Sequence, residues 1–395
     1  MRKYVDEARA VRTVMGLLSI EGVSSREGAV ARHVRDELVA LGVARKRITA
    51  DASHKKFPFP AETGNVIVNV PGVGALARAR PRMFSAHMDT VELASGARPV
   101  RKGGRVVSRG ETALGADDRA GVAAILVMLR TLKKLRVDHP PFVLVFTACE
   151  ETGLWGSRNL KPKAIKGCEL GFNFDGSSPE QLVISAPSQD RIVIEIDGIP
   201  SHAGVGPEKG ASATVAFSRA TARLSDRGWL GKLKKGKHRG TSNIGVVNGG
   251  LASNIVTPNV RAEGEARSYS NVFLARIARV FKTEFAAAAA RTKNASGKSA
   301  KAKITVSRLY ETFDLGETAP VVVAAADALR DIGLKPSYKR QFGGLDANWL
   351  NAHGLPTVTL GAGAHNMHGV SEYLDIKEFL KGCEVAVRLS GADLA

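Results

Sequence analysis

The sequence predicts an α/β protein in which a smaller domain is inserted into a larger one. Short apolar runs alternate with amphipathic helices, which is typical of a mostly parallel sheet with helices on both faces. Between residues 188 and 312 the order changes to β-α-β-β-α-β, the pattern of a ferredoxin-like unit. A chain of 395 residues also exceeds what one hydrophobic core usually holds. We therefore expect one domain at 1–187 and 313–395, and an insert at 188–312.

The elements of the larger domain follow from apolar spacing. Ser24 and Glu27 match a capping box, which predicts the start of a helix. Helical spacing is present at 3–20, 25–41, 119–134 and 320–334. Continuous apolar runs predict buried strands at 65–70, 83–86, 142–148, 170–174 and 357–360.

The insert has strands that alternate between apolar and polar residues. Its strands are predicted at 191–196, 242–247, 259–268 and 303–309, and its helices at 211–224 and 272–290. Two basic segments, 232–239 and 291–303, have no interleaved aromatic residues for base stacking. We interpret these segments as solvated loops and expect no nucleic-acid partner.

The composition is that of a globular protein, with 44% hydrophobic residues and a net charge of +19. The basic balance favours acidic partners but does not identify a reaction. No apolar run approaches the ~20 residues of a membrane span, and no signal-peptide run follows the N-terminus. Three cysteines without a CxxC pair favour a reducing compartment. We expect a cytoplasmic protein without membrane contact.

Chemically competent side chains stand next to the predicted strands. In open α/β sheets, ligands bind beyond the carboxyl ends of the strands. Taken singly, each group has an ordinary role, such as a helix cap for an aspartate. A pair of glutamates after a buried strand is not expected to be solvated, however, and the groups together predict a divalent metal site. They are His87, Asp89, Asp117, Asp118, Glu150, Glu151, Asp175, His365 and His368.

The mixture of imidazole and carboxylate donors favours Zn²⁺ or a similar ion over Mg²⁺ and Ca²⁺. One carboxylate can bridge two ions about 3.5–4 Å apart. A second carboxylate that binds no ion can take a proton from water and deliver it to a leaving amine. His87 is separated by one residue from Asp89, which fits a ligand oriented by a neighbouring carboxylate.

Seven segments resemble the dinuclear-zinc exopeptidase family, which includes peptidase T, glutamate carboxypeptidase G, aminoacylase and succinyl-diaminopimelate desuccinylase. The resemblance runs in order over nearly the whole chain, and GADDRAG, GGLDAN and NMHGVSEY are most similar to peptidase T-like members. The segments are SAHMDT (85–90), GADDRAG (115–121), TACEETG (147–153), FDG (174–176), GIPSHAGVGPEKGASA (198–213), GGLASNIVTPNVRAEGEARS (249–268) and GGLDANWLNAHGLPTVTLGAGAHNMHGVSEY (343–373).

The resemblance implies a zinc-exopeptidase-like fold with two Zn²⁺ ions, for which Co²⁺ or Mn²⁺ could substitute. It implies that His87 and Asp175 bind one ion and that Glu151 and His368 bind the other. Asp117 would bridge the two ions, with a cis peptide bond to the next residue. His365 competes for the last position, but the family's final histidine lies just before a Glu-Tyr pair, which favours His368.

The resemblance also implies catalytic and substrate-binding roles. Glu150 would act as general base and Asp89 would orient His87. The insert would be a lid or dimerisation domain, in which His202 stabilises the oxyanion. Asn254 and Arg267 would hold polar groups of the substrate, although such residues also commonly serve the fold. Gly361 and Gly363 would either let the backbone approach the substrate or form a tight turn.

We therefore predict a dinuclear zinc metallopeptidase of the di- or tripeptide aminopeptidase type, acting through metal-activated water. A carboxypeptidase or an N-acyl-amino-acid amidohydrolase with the same site is the first alternative. A non-catalytic basic binding protein is the second. The expected partner is a small peptide substrate, and the resemblance allows a homodimer through the insert.

Overall fold

The computed structural model describes residues 4–394, which divide into two compact units. The first unit comprises residues up to Ala186 and from Phe313 onward, and the second is Pro187–Thr312. Ala186 and Phe313 are direct partners on two antiparallel strands. The chain thus leaves and re-enters the first unit at adjacent points, so the second unit interrupts the sequence without interrupting the sheet.

The elements alternate as the apolar spacing predicts. Up to Ala186 they are α1 (Glu7–Leu18), α2 (Gly28–Ala40), β1 (Ile48–Ala50), β2 (Val66–Val70), β3 (Arg82–His87), β4 (Pro99–Lys102), β5 (Arg105–Ser108), α3 (Ala116–Leu135), β6 (Phe142–Thr147), α4 (Trp155–Asn159), β7 (Leu170–Gly176) and β8 (Gln181–Ala186). The second unit contains β9 (Ser188–Asp197), α5 (Ala213–Asp226), β10 (Gly231–Lys235), β11 (His238–Gly249), β12 (Asn259–Ser268), α6 (Asn271–Arg291) and β13 (Lys301–Tyr310). The chain ends with β14 (Phe313–Asp314), α7 (Pro320–Arg330), β15 (Ser337–Arg340), α8 (Asp346–Ala352), β16 (Thr357–Gly361), β17 (Ala364–His365), β18 (Tyr373–Asp375) and α9 (Ile376–Leu389).

The main sheet of the first unit has the order β1-β2-β6-β3-β7-β16-β8-β14, with β15 also paired to β8. Its centre, β6-β3-β7-β16, is parallel, as expected for buried strands joined through helices. The strands toward both edges pair mainly antiparallel. The predicted α/β class is confirmed, and the sheet is mixed rather than parallel throughout.

Helices cover both faces of the main sheet. Phe84, at the centre, packs against Phe142 and Phe172 with ring centroids 5.6 and 5.5 Å apart. Full burial of one such side chain contributes about 1.5–3 kcal/mol. The larger apolar cluster includes residues of α1, α2, α3, α7 and α9, and a smaller one includes residues of α8.

A second, small sheet in the first unit is absent from the sequence predictions. It has the order β17-β18-β5-β4 and all its pairs are antiparallel. Tyr373 pairs with Val107, 266 positions away in the chain. Because β18 also pairs with β17, this pairing holds His365, at the end of β17, and the loop that carries His368 between the two strands.

The second unit is one antiparallel sheet in the order β10-β11-β12-β9-β13, with α5 and α6 packed on it. Without β10, this is the βαββαβ order of a ferredoxin-like fold. The interpretation of 232–239 as a loop is wrong, because it forms the β10–β11 hairpin with Leu233 buried. The other basic segment is a turn only in its middle, since its ends belong to α6 and β13.

The N-terminal helices differ from the predictions at their starts. Asp6 caps α1 through Arg9, and residue 3 of the predicted helix lies outside the described residues. The capping-box prediction for α2 is wrong: Glu27 precedes the helix but makes no side-chain cap hydrogen bond. Ser24 and Glu27 instead bind other loops. In residues 4–394, no helix is both long and apolar enough to cross a membrane.

Candidate metal centre

The candidate ligands lie at the carboxyl end of the parallel strands. His87 ends β3 and pairs with Thr147, the last residue of β6. The turn that carries Glu150 and Glu151 follows β6, and Asp175 lies near the end of β7 on the other side of β3. Neighbouring parallel strands therefore carry these side chains to one edge, as the sequence predicts.

His87 and Asp175 belong to the first group of side chains. His87 Nε2 lies 3.3 Å from Asp117 Oδ1 and 3.8 Å from Asp175 Oδ1. On the other side of the ring, Nδ1 lies 3.0 Å from the main-chain oxygen of Asp89 and 3.5 Å from its carboxylate. If Nδ1 donates a hydrogen bond to that oxygen, the lone pair of Nε2 faces the carboxylates and can bind a cation.

His368 belongs to the second group. Its Nε2 lies 2.9 Å from Glu151 Oε2 and 3.3 Å from Asp117 Oδ2. The two oxygens of Asp117 therefore face two different histidines. The peptide bond between Asp117 and Asp118 is cis.

His365, the competing candidate, lies outside this cluster of contacts. Its Nε2 is 2.8 Å from Glu378 Oε2 of α9, and its ring stacks on Tyr373. Its Nδ1 lies 3.3 Å from the Ser177 hydroxyl. Both ring nitrogens of His365 therefore have partners away from Asp117 and Glu151.

The donor set fits a cation. Two groups have ligand atoms that all lie within 4.8 Å of one another: His87, Asp118 and Asp175, and His87, Asp117 and Glu151. Glu151 Oε1 is buried and has no hydrogen-bond partner among residues 4–394. A buried carboxylate oxygen without a donor is costly unless a cation or proton compensates it.

Asp118 enters the first group, although the family resemblance implied no ligand role for it. Its two carboxylate oxygens accept the main-chain N–H groups of His87 (3.2 Å) and Gly121 (3.0 Å). Asp118 therefore ties the end of β3 to the start of α3. We interpret it as a residue that shapes the loop around Asp117.

The charges in the cluster are strongly perturbed. Burial, together with the neighbouring carboxylates, raises the pKa of Asp175 well above its usual value. Burial opposes ionisation of Asp117 too, but hydrogen bonds from His368 and His87 hold its pKa far below the usual range. Hydrogen bonds to Asp117 and Glu151 raise the pKa of His368 to about 10. A proton or another positive charge thus compensates these carboxylates where they meet.

Glu150 stands apart from the two histidine groups. It is buried, and burial raises its pKa well above the usual value, helped by Asp175 and Glu151. Asp89 fixes the turn on which Glu150 lies, because its carboxylate accepts the N–H of Glu150 (3.0 Å) and of Glu151 (3.1 Å). Asp89 thus contacts both His87 and the glutamate pair.

The sequence reasoning missed the roles of two buried acids. Glu372 accepts the N–H groups of Leu114, Gly115 and Asp117 at 2.8–3.1 Å, so it holds the loop before α3. The sequence offered only its place near His368. Asp346 is buried at the start of α8 and hydrogen-bonds to Thr147. Its position in GGLDAN was the only available signal.

Three predicted substrate residues belong to the second unit. His202 is exposed, and its Nδ1 accepts the N–H groups of Gly204 and Val205 at 3.1 and 3.2 Å. The ring proton is therefore on Nε2, so Nε2 is the nitrogen that can donate to another group. Asn254 is exposed, and its main-chain oxygen accepts the N–H of Ala203, next to His202.

Arg267, on β12, forms two hydrogen bonds to Glu265 of the same strand, at 2.8 and 3.0 Å. Its guanidinium therefore already has a carboxylate partner within the second unit.

In the first unit, Gly361 and Gly363 pack against backbone. A Cβ at Gly361 would lie 2.3 Å from the Ser178 oxygen, and one at Gly363 would lie 2.7 Å from the Phe379 nitrogen. Local packing thus requires both glycines.

Comparisons with known proteins agree with this geometry. The model of Peptidase family M20/M25/M40 matches residues 83–391. The chain belongs to this family. The predicted family resemblance and the metallopeptidase class are thereby confirmed.

Two solved structures and one relative are similar over almost the whole chain. Aminopeptidase PepT from Bacillus cereus ATCC 10987 is 31% identical with a TM-score of 0.85, covering 98% of each chain. A tripeptidase from Staphylococcus aureus Mu50 is 29% identical with a TM-score of 0.86, again over 98% of each chain. The uncharacterized protein YqjE of Bacillus subtilis strain 168 is 30% identical over 98% of both chains.

Proposed function

We propose that this protein is a two-metal exopeptidase that removes the amino-terminal residue from di- or tripeptides. The observation that carries the proposal is Asp117, whose two oxygens face His87 and His368 at 3.3 Å each. A carboxylate between two imidazoles is the arrangement that a pair of bridged cations requires. Similarity to an aminopeptidase and a tripeptidase supports the substrate class.

The proposed ligands are His87 and Asp175 for one ion, Glu151 and His368 for the other, and Asp117 for both. Nitrogen and oxygen donors together favour Zn²⁺, with Co²⁺ or Mn²⁺ as substitutes. The chemistry that such ions supply when bound is Lewis acidity toward the scissile carbonyl and acidification of water.

The protein's own groups then perform the proton transfers. Glu150 accepts a proton from the attacking water and returns it to the departing amine. Asp89 keeps the Glu150–Glu151 turn in place through its two N–H contacts. Burial of Glu150 suits this exchange, because a low-polarity environment brings a carboxylate pKa closer to neutrality.

The second unit supplies the proposed substrate contacts. His202, with its proton on Nε2, donates to the developing oxyanion, a role worth about 2.7–4 kcal/mol. Asn254 and Arg267 bind polar groups of the substrate, and Arg267 would exchange Glu265 for a substrate carboxylate. Three further points stay predictions: that this unit acts as a lid, that it forms a homodimer, and that the protein is found in a reducing, cytoplasmic compartment.

The test is a substrate panel on purified protein, stripped of metal and reloaded with Zn²⁺, Co²⁺ or Mn²⁺. We expect hydrolysis of free di- and tripeptides, with loss of activity after metal removal and after N-acetylation of the peptide. Hydrolysis that tolerates an acetylated amine but requires a free carboxylate would make the enzyme a carboxypeptidase. Activity on N-acyl amino acids alone would make it an amidohydrolase. A chain that neither binds a transition metal nor gains activity from one would contradict the whole proposal.

A further inference from the structure

We propose that residues 17–28 position the metal centre, with Ser24 and Glu27 as the positioning residues. We call this segment the N-terminal brace. It rests on the proposed function, because the loops that it contacts carry the proposed ligands and Glu150. The segment lies before residues 83–391, the part that the family model matches.

Glu27 holds the turn that leads into Glu150. Its carboxylate is fully buried, and Oε1 accepts both the N–H (2.8 Å) and the thiol (3.2 Å) of Cys149. The neighbouring Ser25 N–H lies 3.2 Å from the Cys149 sulfur. Cys149 has a φ of 53°, in the left-handed region that residues other than glycine rarely adopt. The brace thus holds a strained residue immediately before the proposed base.

Ser24 reaches the same turn through Asp89. Its hydroxyl donates to Asp89 Oδ2 at 2.6 Å, and the Asp89 carboxylate accepts the N–H groups of Glu150 and Glu151. Main-chain bonds fasten the two segments to each other: Ser24 N–H to Thr90 O, and Thr90 N–H to Gly22 O. Two independent contacts of the brace therefore converge on the glutamate turn.

A third contact joins the brace to the loop of Asp117. Arg119 is 1% exposed, and its guanidinium donates to the main-chain oxygens of Leu17, Ile20 and Gly22 at 3.0–3.3 Å. A Cβ at Gly22 would lie 2.6 Å from this guanidinium, so a larger residue there would displace the Arg119 side chain. Arg119 directly follows the Asp117–Asp118 pair.

Helix capping does not account for Ser24 and Glu27. They match a capping box in sequence, yet neither caps α2, and both side chains point to loops that carry the proposed site. Groups of this kind that orient metal ligands typically change affinity or activity 10–100-fold when removed. We therefore expect the brace to act on the position of Glu150 and Glu151 and on metal affinity.

The experiment compares four variants of the full chain: Ser24→Ala, Glu27→Ala, Glu27→Gln and Glu21→Ala. Glu21→Ala is the matched control, because Glu21 lies in the brace but its carboxylate accepts, within residues 4–394, from Ser95 and Gly96, which carry no proposed ligand. Glu27→Gln is the conservative variant, since its amide oxygen can still accept from Cys149. The measurements are Zn²⁺ affinity by chelator competition, the Co²⁺ absorption spectrum, kcat and KM separately, and amide hydrogen exchange of the metal-free proteins.

We expect Ser24→Ala and Glu27→Ala to weaken Zn²⁺ binding and lower kcat about 10–100-fold, with a smaller effect on KM and an altered Co²⁺ spectrum. Amides 149–151 should exchange faster in both variants, while Glu27→Gln and Glu21→Ala stay close to wild type. A lower melting temperature with unchanged Zn²⁺ affinity, Co²⁺ spectrum, kcat and exchange at 149–151 would overturn the proposal.

The hydrogen-exchange measurement separates this proposal from the proposed function. If the wild-type protein binds no transition metal, the proposed function fails, and exchange at 149–151 still decides whether the brace holds the turn. Faster exchange in Glu27→Ala would then support the brace, and wild-type exchange would refute it. If the wild type binds Zn²⁺ and hydrolyses peptides, all four measurements apply.

Discussion

At the scale of single residues, Glu150 is distinguished by what it does not contact. It belongs to neither group of candidate ligands, although it is adjacent to Glu151, which does. Its main-chain N–H donates to Asp89, and this contact does not depend on the Glu150 side chain. The side chain can therefore be changed without removing a proposed ligand or this contact. This separation makes its chemical role testable apart from metal binding.

We expect Glu150→Gln to lower kcat roughly 10²–10⁴-fold, because an amide cannot accept the proton of the attacking water. Bound metal, measured by elemental analysis, should stay at the wild-type level. Glu169→Gln is the control, since Glu169 is exposed and lies 4.0 Å from its ion-pair partner Arg80. Retention of wild-type kcat by Glu150→Gln would remove it from the mechanism.

His365 and His368 form a second residue-scale pair: His365 ends β17, and His368 lies three positions later in the loop that follows. His368→Ala should lose affinity for one ion and at least 10-fold in activity, because it removes a proposed ligand. His365→Ala should retain the metal, because its ring nitrogens contact Ser177 and Glu378 instead. Calorimetric titration with Zn²⁺ measures both, and the reverse result would exchange the two assignments.

At the scale of elements, the turn between β16 and β17 depends on Gly363. This residue has a φ of 84°, and the start of α9 leaves no space for a Cβ. Gly103, in the turn between β4 and β5, has a φ of 59° but open space around it. The two glycines therefore separate backbone strain from packing.

Gly103→Ala should cost about 1–2 kcal/mol of unfolding free energy, the price of a left-handed backbone. Gly363→Ala should cost about 1–3 kcal/mol more, because the methyl group collides with backbone rather than a movable side chain. Urea unfolding measures both values. If both variants lost the same unfolding free energy, the start of α9 would have moved to accommodate the new methyl group, contrary to this prediction.

At the scale of the whole molecule, the two units have separate hydrophobic cores. All five proposed metal ligands belong to the first unit. Binding of an ion to the folded state alone stabilises that state by mass action. The effect of metal on stability should therefore differ between the units.

We expect Zn²⁺ at 100 times its dissociation constant to stabilise the first unit by about 2.7 kcal/mol, and a chelator to reverse this. Hydrogen exchange with mass spectrometry resolves the units, and slowly exchanging peptides of Pro187–Thr312 should be unaffected by metal alone. If Zn²⁺ slowed hydrogen exchange in Pro187–Thr312 as much as in the first unit, this result would contradict a ligand set confined to the first unit.

Much of this protein could be predicted because its signals are local. Apolar runs such as Phe142–Thr147 are buried on both faces, so their strand character is evident without knowing their neighbours. Ligand types placed at strand ends then share one edge of a parallel sheet, which predicts their meeting. Short strands carry too few residues for such a signal: β17 has two and β18 has three.

The sequence by itself determined the α/β class and the family resemblance, because both depend on local apolar spacing and on short motifs. Only the tertiary structure decided that His365 contacts α9, that 232–239 forms a hairpin, and that Ser24 and Glu27 bind Asp89 and Cys149 instead of capping α2. The reason is physical. Periodicity records whether a residue is buried, whereas the partner of a polar side chain depends on which distant segments pack around it.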